Sequence, residues 1–268
     1  RMKMFKSKRF LKILLVAGIA SSVLVGCVAK TEVEPLRLGT PEELVDTFIK
    51  DNQEDNVSEL AKLYADVYVD STGYDLATIE KILEKSRKES KIISSELVSM
   101  EDYSDTIKRA TIKITSKAND EETTNNYDYA LIKEEEGWAI SPDGIIACEN
   151  YDIPMYNKGE LTLNLAKNIK LFEGGILRVK VYNDSKNQFM FGSENNKCEI
   201  IVETSTGKYV TTMDEPTKLD KKVNSYFLAR ITELDGEINK VTVTNVYDLD
   251  KDGNVIEDSK KDVVAYQK

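Results

Sequence analysis

The chain has 268 residues, with 37 lysines and arginines against 47 aspartates and glutamates, and it contains no histidine. The net charge of −10 argues against nucleic acid as a partner, because contacts with a phosphate backbone need clustered basic side chains. Without histidine, Ser-His-Asp and Cys-His catalysis are excluded, and so is the most common zinc ligand.

A basic segment followed by an apolar segment begins the chain. Residues 1–12 contain six basic residues and no acidic one, and residues 13–25 carry no charge. This order is typical of a secretory signal peptide. The apolar run is shorter than the roughly 20 residues that a membrane-spanning helix needs.

The apolar run ends in Leu24-Val25-Gly26-Cys27, which resembles the lipobox of bacterial lipoproteins. The resemblance implies removal of residues 1–26, diacylglycerol on the Cys27 sulfur, and acyl chains such as palmitate that hold the protein to the extracytoplasmic face of the cell membrane. An ordinary secretory signal with a chance cysteine is the alternative. The mature chain would keep 31 basic and 47 acidic residues, a net charge of about −16. We therefore expect the Cys27 lipid, and not the protein surface, to contact the membrane.

Helical patterns follow a short polar tether at residues 27–39. Thr40-Pro41-Glu42-Glu43 predicts a helix start with a capping box. Apolar residues spaced three and four apart predict two more helices, one from near Asn56 and one from near Asp75 to about Lys88.

The hydrophobic period changes to two between about Ile92 and Ile146, which predicts about four antiparallel strands. The last of them contains Gly-Trp-Ala-Ile at residues 137–140. Three helices followed by such a sheet resemble the nuclear transport factor two-like fold over residues 40–148. The resemblance implies a cone-shaped domain in which a curved antiparallel sheet wraps around the helices and leaves a pocket.

Members of that family include isomerases and dehydratases as well as non-catalytic binding and assembly domains. We predict that Tyr64, Tyr127 and Tyr129 line the implied pocket, where their rings and hydroxyls could contact a ligand. The alternative is that these tyrosines are ordinary half-buried core or surface residues. No catalytic residue and no cofactor can be assigned.

The remainder of the chain predicts a second domain. Residues 149–159 form a linker, and about seven short strands within residues 160–268 predict an antiparallel sandwich. This part is similar to the immunoglobulin-like domains of secreted bacterial lipoproteins. The predicted fold class is therefore α+β, with a helices-on-sheet domain before an all-β domain. The strand candidates are Leu161–Leu165, Leu177–Tyr182, Glu199–Glu203, Tyr226–Ile231, Val241–Tyr247 and Val263–Tyr266.

One acidic motif matches half of a calcium-binding loop. Asp248, Asp250, Asp252 and Gly253 follow the first half of an EF-hand loop, but Ser259 occupies the twelfth position, where a bidentate Glu is needed. We therefore favour a β-hairpin that turns at Asp252-Gly253, with weak calcium binding left open and no metal site assigned.

Cys148 and Cys198 are the cysteines that remain beyond Cys27. They lack metal-ligand spacing and could form a disulfide outside the cytoplasm. We favour two buried free thiols instead.

These features favour a cell-envelope lipoprotein that acts as a non-catalytic ligand-binding or protein-interaction module. Its partner would be a small ligand, a cell-wall component or another envelope protein, and its site would lie within residues 40–148. The alternative is a pocket enzyme of isomerase, dehydratase or hydrolase type that uses carboxylate and tyrosine side chains. A structural spacer is the third possibility.

Overall fold

The computed structural model describes residues 33–154 and 156–268. The predicted signal peptide and Cys27 lie outside these residues. The described residues form four α-helices and fourteen β-strands, so the fold is a mixed α+β fold in which strands predominate. They divide into two units. The first unit contains the described residues up to Glu149 together with Ile169–Phe172, and the second unit contains the described residues of Asn150–Asn168 and Glu173–Lys268.

All the helices belong to the first unit, and side chains cap two of them. The hydroxyl of Thr40 accepts a hydrogen bond from the Glu43 amide at 3.1 Å, and the Asp75 carboxylate accepts one from the Thr78 amide at 2.9 Å. The predicted helix starts at these two positions are confirmed. The helices are α1 (Pro41–Gln53), α2 (Val57–Lys62), α3 (Asp66–Thr72) and α4 (Leu76–Glu89).

The single helix predicted from near Asn56 is wrong, because the chain forms α2 and α3 there with a break between them. At the break, the Leu63 carbonyl accepts a hydrogen bond from the Ile140 amide at 2.8 Å. The Ala65 amide donates to the Ile140 carbonyl, also at 2.8 Å. Pairing with a strand therefore satisfies backbone groups that a continuous helix would have used internally.

An antiparallel four-stranded sheet completes the first unit. Its order is β1-β2-β3-β4, in which β1 is Lys91–Ser104, β2 is Ile107–Ala118, β3 is Glu121–Glu134 and β4 is Gly137–Ser141. Apolar side chains of α1, α2 and α4 pack with those of β2, β3 and β4 in one core. This core includes Leu44, Phe48, Leu60, Ile79, Ile112, Leu131 and Ile140.

The later strands form two more sheets. These strands are β5 (Ile145–Asn150), β6 (Leu161–Leu171), β7 (Gly175–Asn183), β8 (Phe189–Phe191), β9 (Glu199–Thr204), β10 (Lys208–Thr212), β11 (Thr217–Leu219), β12 (Val223–Ile231), β13 (Ile238–Asp248) and β14 (Lys261–Gln267). One sheet has the order β12-β7-β6-β5, and the other has the order β10-β9-β13-β8-β11 with β14 paired to β13. Strand β5, which runs into the predicted linker, and the short strands β8, β10 and β11 were not among the sequence candidates.

The core of the second unit lies between strands of these two sheets. Buried and partly exposed residues alternate along β7, so one face of the strand points into the core and the other points away. The inner face of β7 and β12 packs with that of β8, β9 and β13, which is compatible with a β-sandwich. The shared core includes Leu177, Val179, Phe191, Ile200, Phe227 and Val243.

Candidate functional site

A cluster of tyrosine side chains lies within the first unit. Tyr64 lies in the break between α2 and α3 and is only 7% exposed. Its ring meets that of Tyr68 of α3 edge-on, with 5.1 Å between ring centroids. Tyr129 of β3 packs its ring against Phe48 of α1, with 5.0 Å between centroids. The break between helices and the neighbouring strand thus direct these rings into one region of the core.

Arg87 of α4 adds a positive charge to the cluster. Its side chain is 13% exposed, and its Nε lies 3.3 Å from the carboxylate of Asp55. A terminal guanidinium nitrogen donates to the side-chain oxygen of Asn52, and the Asn52 amide donates to the Ser95 hydroxyl at 2.7 Å. Burial lowers the pKa of Arg87, while the charge of Asp55 opposes that change. The guanidinium is therefore held in place by polar groups at the edge of the core.

Burial keeps the tyrosine hydroxyls of the cluster protonated. Burial raises the pKa of Tyr64 and of Tyr129 far above the ordinary value, while the charge of Arg87 acts in the opposite direction. Burial also raises the pKa of Tyr68 to about 12, with a smaller contribution from the negative charge of Asp143. These phenols remain neutral near pH 7, so they can donate and accept hydrogen bonds but are poor bases.

Asp143 sits in a strained turn next to this cluster. It lies between Pro142 and Gly144 after β4, and its φ of 59° is in the left-handed region that non-glycine residues seldom adopt. Its charge acts on all three tyrosines of the cluster.

The structure brings together two of the three predicted pocket residues. Tyr64 and Tyr129 both belong to the cluster, whereas Tyr127 is 43% exposed and lies farther along β3. Arg87 and Asn52 were not predicted as site residues. Nothing in their local sequence marks them, because they meet through a contact between residues 35 apart in the chain.

The acidic motif forms a self-contained turn. The Asp250 carboxylate accepts hydrogen bonds from the amides of Asp252 and Asn254, each at 2.8 Å, and from the Asn254 side chain at 3.1 Å. Asp248 instead pairs with Lys261 at 3.1 Å. Among the described residues, no group of three or more acidic or cysteine side chains is arranged to hold a metal ion.

Neither Cys148 nor Cys198 forms a disulfide, and only Cys198 is buried, so the prediction of two buried thiols is wrong for Cys148. Cys198 is buried in the core of the second unit, and burial raises the pKa of its thiol to about 12. A thiol with so high a pKa is inert as a nucleophile near neutral pH. The disulfide considered as an alternative for Cys148 and Cys198 is not formed.

Comparisons with known proteins identify no family for this chain. The chain matches no protein-family model and no curated protein sequence. None of the helices formed by residues 33–154 and 156–268 is long and apolar enough to cross a membrane. Cys27, the predicted lipid attachment site, is outside these ranges.

Proposed function

We propose that this chain is an extracytoplasmic lipoprotein, anchored to the cell membrane through Cys27, that binds a small ligand without turning it over. In this proposal the first unit is a nuclear transport factor two-like domain with a cone-shaped fold, and the second is an immunoglobulin-like sandwich. Helices that pack on a four-stranded antiparallel sheet support the first assignment. Two sheets around one core support the second.

The observation that carries the proposal is the cluster of Tyr64, Tyr129 and Arg87. The hydroxyls of Tyr64 and Tyr129 make no hydrogen bond with any described residue, and the Nε of Arg87 is buried with no hydrogen-bond partner among those residues. Buried polar groups are nearly always paired, and an unpaired one costs about 1–3 kcal/mol. A ligand with acceptor oxygens, such as a small carboxylate, would pair with these hydroxyls beside the positive charge of Arg87.

The protonation state of the tyrosines supports binding over catalysis. A general base works best when its pKa is near the working pH. Burial moves the tyrosine pKa values of the cluster in the opposite direction, away from neutrality. We therefore assign these side chains to ligand orientation.

A fluorescence titration tests the binding site. Trp138 is the only tryptophan of the chain and packs in the same core as Tyr64, so its emission reports on this region. Small carboxylates, small phosphates and neutral polyols are titrated in parallel. For a ligand found in this way, Tyr64→Phe and Tyr129→Phe should each weaken affinity about fivefold, the effect of one hydrogen bond.

Tyr127→Phe is the matched control, because it removes the same hydroxyl from an exposed ring of the same strand. It should leave affinity unchanged. Equal affinities in all three variants and the unmodified chain would place the ligand elsewhere.

The membrane anchor is tested separately. The mature protein should partition into the detergent phase and carry a diacylglycerol mass increment on Cys27. The Cys27→Ala variant should remain in the aqueous phase or accumulate as the precursor. A mature protein cleaved at another position, with no added lipid mass, would contradict the lipoprotein assignment.

A further inference from the structure

The outward face of β7 and β12 in the second unit carries basic and aromatic side chains. Arg178, Lys180 and Tyr182 alternate with the core residues of β7 and therefore point away from the core. On the neighbouring strand, Asn224 lies opposite Tyr182, and Tyr226 lies opposite Lys180. Directly opposed residues of an antiparallel pair are close neighbours, so these side chains form one continuous surface.

Residues of the segment before β6 lie over this surface and create two adjoining clefts. The larger has a volume of about 430 Å³ and the smaller about 320 Å³. Ile153, Lys180 and Asn224 line both of them. We call the two clefts together the outer groove. Volumes of this size fit small ligands or units of a polymer.

The outer groove is positively charged in an otherwise acidic protein. Lys167, Arg178 and Lys180 line it, and no aspartate or glutamate does. Lys180 forms no ion pair or hydrogen bond with any described residue. The chain as a whole has a net charge of −10, so this concentration of cations is local. A groove lined by one sign of charge attracts ligands of the opposite sign.

Arg178 is already oriented for a ligand. The carbon of its guanidinium group lies 3.9 Å from the ring centroid of Tyr226. Stacking on an aromatic face fixes the plane of the guanidinium while its N–H edge stays free to donate. That edge can donate two parallel hydrogen bonds to a phosphate or carboxylate.

Aromatic and amide groups complete the outer groove. The rings of Tyr156 and Tyr182 pack against each other in a tilted arrangement, with centroids 4.1 Å apart and planes inclined by 34°. Asn164 lines the smaller cleft and is 8% exposed, and its side-chain amide makes no hydrogen bond with any described residue. An amide offers both donors and acceptors, which matches hydroxyl groups, and the tyrosine rings offer flat apolar faces.

We propose that the outer groove binds a phosphate-bearing sugar or polyol. The cations would bind the phosphate, Asn164 would pair with hydroxyls, and the rings of Tyr156 and Tyr182 would pack against the carbon skeleton. Because two clefts adjoin, consecutive units of an anionic polymer fit better than a single unit. This site uses none of the residues of the tyrosine and arginine cluster, so it does not depend on the function proposed for the first unit.

The test is calorimetric titration of the full chain in neutral detergent with oligomers of glycerol phosphate. We expect saturable binding that weakens as sodium chloride is raised from 50 to 200 mM, since salt screens charge attraction. Neutral oligomers of glycerol should not bind. Vesicles of phosphatidylglycerol present the same phosphate chemistry on a lipid, and binding to vesicles without binding to the soluble oligomer would overturn the proposal.

Two variants assign the binding to the outer groove. Lys180→Gln should weaken affinity about tenfold, and Asn224→Asp, which places a negative charge in both clefts with little change of shape, should weaken it at least as much. Lys208→Gln is the matched control, because it removes one exposed lysine from β10 in the other sheet. Affinity lost equally in Lys180→Gln and Lys208→Gln would overturn the proposal in favour of general charge attraction. Circular dichroism of each variant confirms that the fold is retained.

Discussion

The buried, unpaired hydroxyl of Tyr247 lowers the stability of the second unit. Tyr247 of β13 is fully buried, and its hydroxyl has no hydrogen-bond partner among the described residues. Desolvating an unpaired polar group costs about 1–3 kcal/mol. We expect Tyr247→Phe to raise the free energy of unfolding by about 1 kcal/mol, measured by urea denaturation.

Tyr209→Phe is the comparison for that measurement. Its hydroxyl lies 3.3 Å from the hydroxyl of Thr206 in an exposed position, so its removal should change stability by less than about 0.5 kcal/mol. A loss of stability in Tyr247→Phe would show that the buried hydroxyl has a partner.

The thiol of Cys198 makes stability depend on pH in the alkaline range. Burial raises its pKa from 9.0 to about 12, so the folded thiol keeps its proton where the unfolded thiol loses it. Stability is therefore retained below about pH 9 and falls as the pH rises toward 12. The slope from this group is at most about 1.4 kcal/mol per pH unit.

We expect the Cys198→Ala variant to lose stability less steeply than the unmodified chain between pH 9.5 and 11. Buried tyrosines contribute equally to the pH dependence of stability in both proteins. The difference between the two slopes therefore measures the contribution of the Cys198 thiol. Between pH 7 and 8 the two slopes should coincide, because the thiol is protonated in both states. Identical slopes across the whole range would contradict a buried, inert thiol.

Single residues of the site were only partly predictable from sequence. The apolar spacing near α2 identified Tyr64 as inward-facing, but alternation along β3 predicted Tyr127 and Tyr129 together, and Tyr127 is exposed. Arg87 could not be found in this way, because a charged residue near a helix end is ordinarily solvated. Its burial arises from contacts with Asn52 and Asp55 at the end of α1, and these depend on how the helices pack.

At the scale of elements, one ion-pair network joins the chain before α1 to α3 and β3. Arg37 has a side chain only 5% exposed and donates to the Glu134 carboxylate, and it also pairs with Asp66 at 2.9 Å. The Asp66 amide donates to the same Glu134 carboxylate at 2.8 Å. One glutamate at the end of β3 therefore holds the start of α3 in place.

We expect Glu134→Gln to lower the free energy of unfolding by about 2 kcal/mol, because it leaves the Arg37 charge buried with one fewer anion. Thermal or chemical denaturation provides the measurement. Glu136→Gln removes the same charge from an exposed position two residues later and should have little effect. Equal losses in both variants would show that the network contributes nothing beyond net charge.

Sequence patterns predicted most elements but not where they are interrupted. Capping residues located the starts of α1 and α4 because their hydrogen bonds are made within four residues. The break between α2 and α3 depends on backbone pairing with Ile140, which lies far away in sequence. Strands β8 and β11 contain three residues each, too few to show an alternating pattern.

At the scale of the whole molecule, neither unit is a single continuous stretch of the sequence. Residues 169–172 belong to the first unit although Asn150–Asn168 before them belong to the second. Phe172 packs its ring against Tyr103, with 5.1 Å between centroids, and the guanidinium of Arg109 lies 5.2 Å from the same ring. Its amide also donates to the Gly144 carbonyl at 3.2 Å.

We expect Phe172→Ala to destabilise the first unit by about 1–2 kcal/mol, through loss of ring packing and of the cation–π contact. Fluorescence of Trp138 follows this unit alone, since the chain has no other tryptophan. The Phe172→Leu variant retains an apolar side chain of similar size, so it should lose less stability than Phe172→Ala. An unchanged Trp138 unfolding midpoint in Phe172→Ala would show that the returning segment is dispensable.

The return of residues 169–172 also sets an order of folding events. A chain that is exported from its amino terminus delivers the helices and the four-stranded sheet before Phe172. The side of the first unit that contains Gly144, Tyr103 and Arg109 stays uncovered until Phe172 has followed β6 out. A chain exported only as far as residues 149–168 therefore presents an incomplete first unit to envelope chaperones and proteases, and that unit is completed only when the next one has begun to emerge.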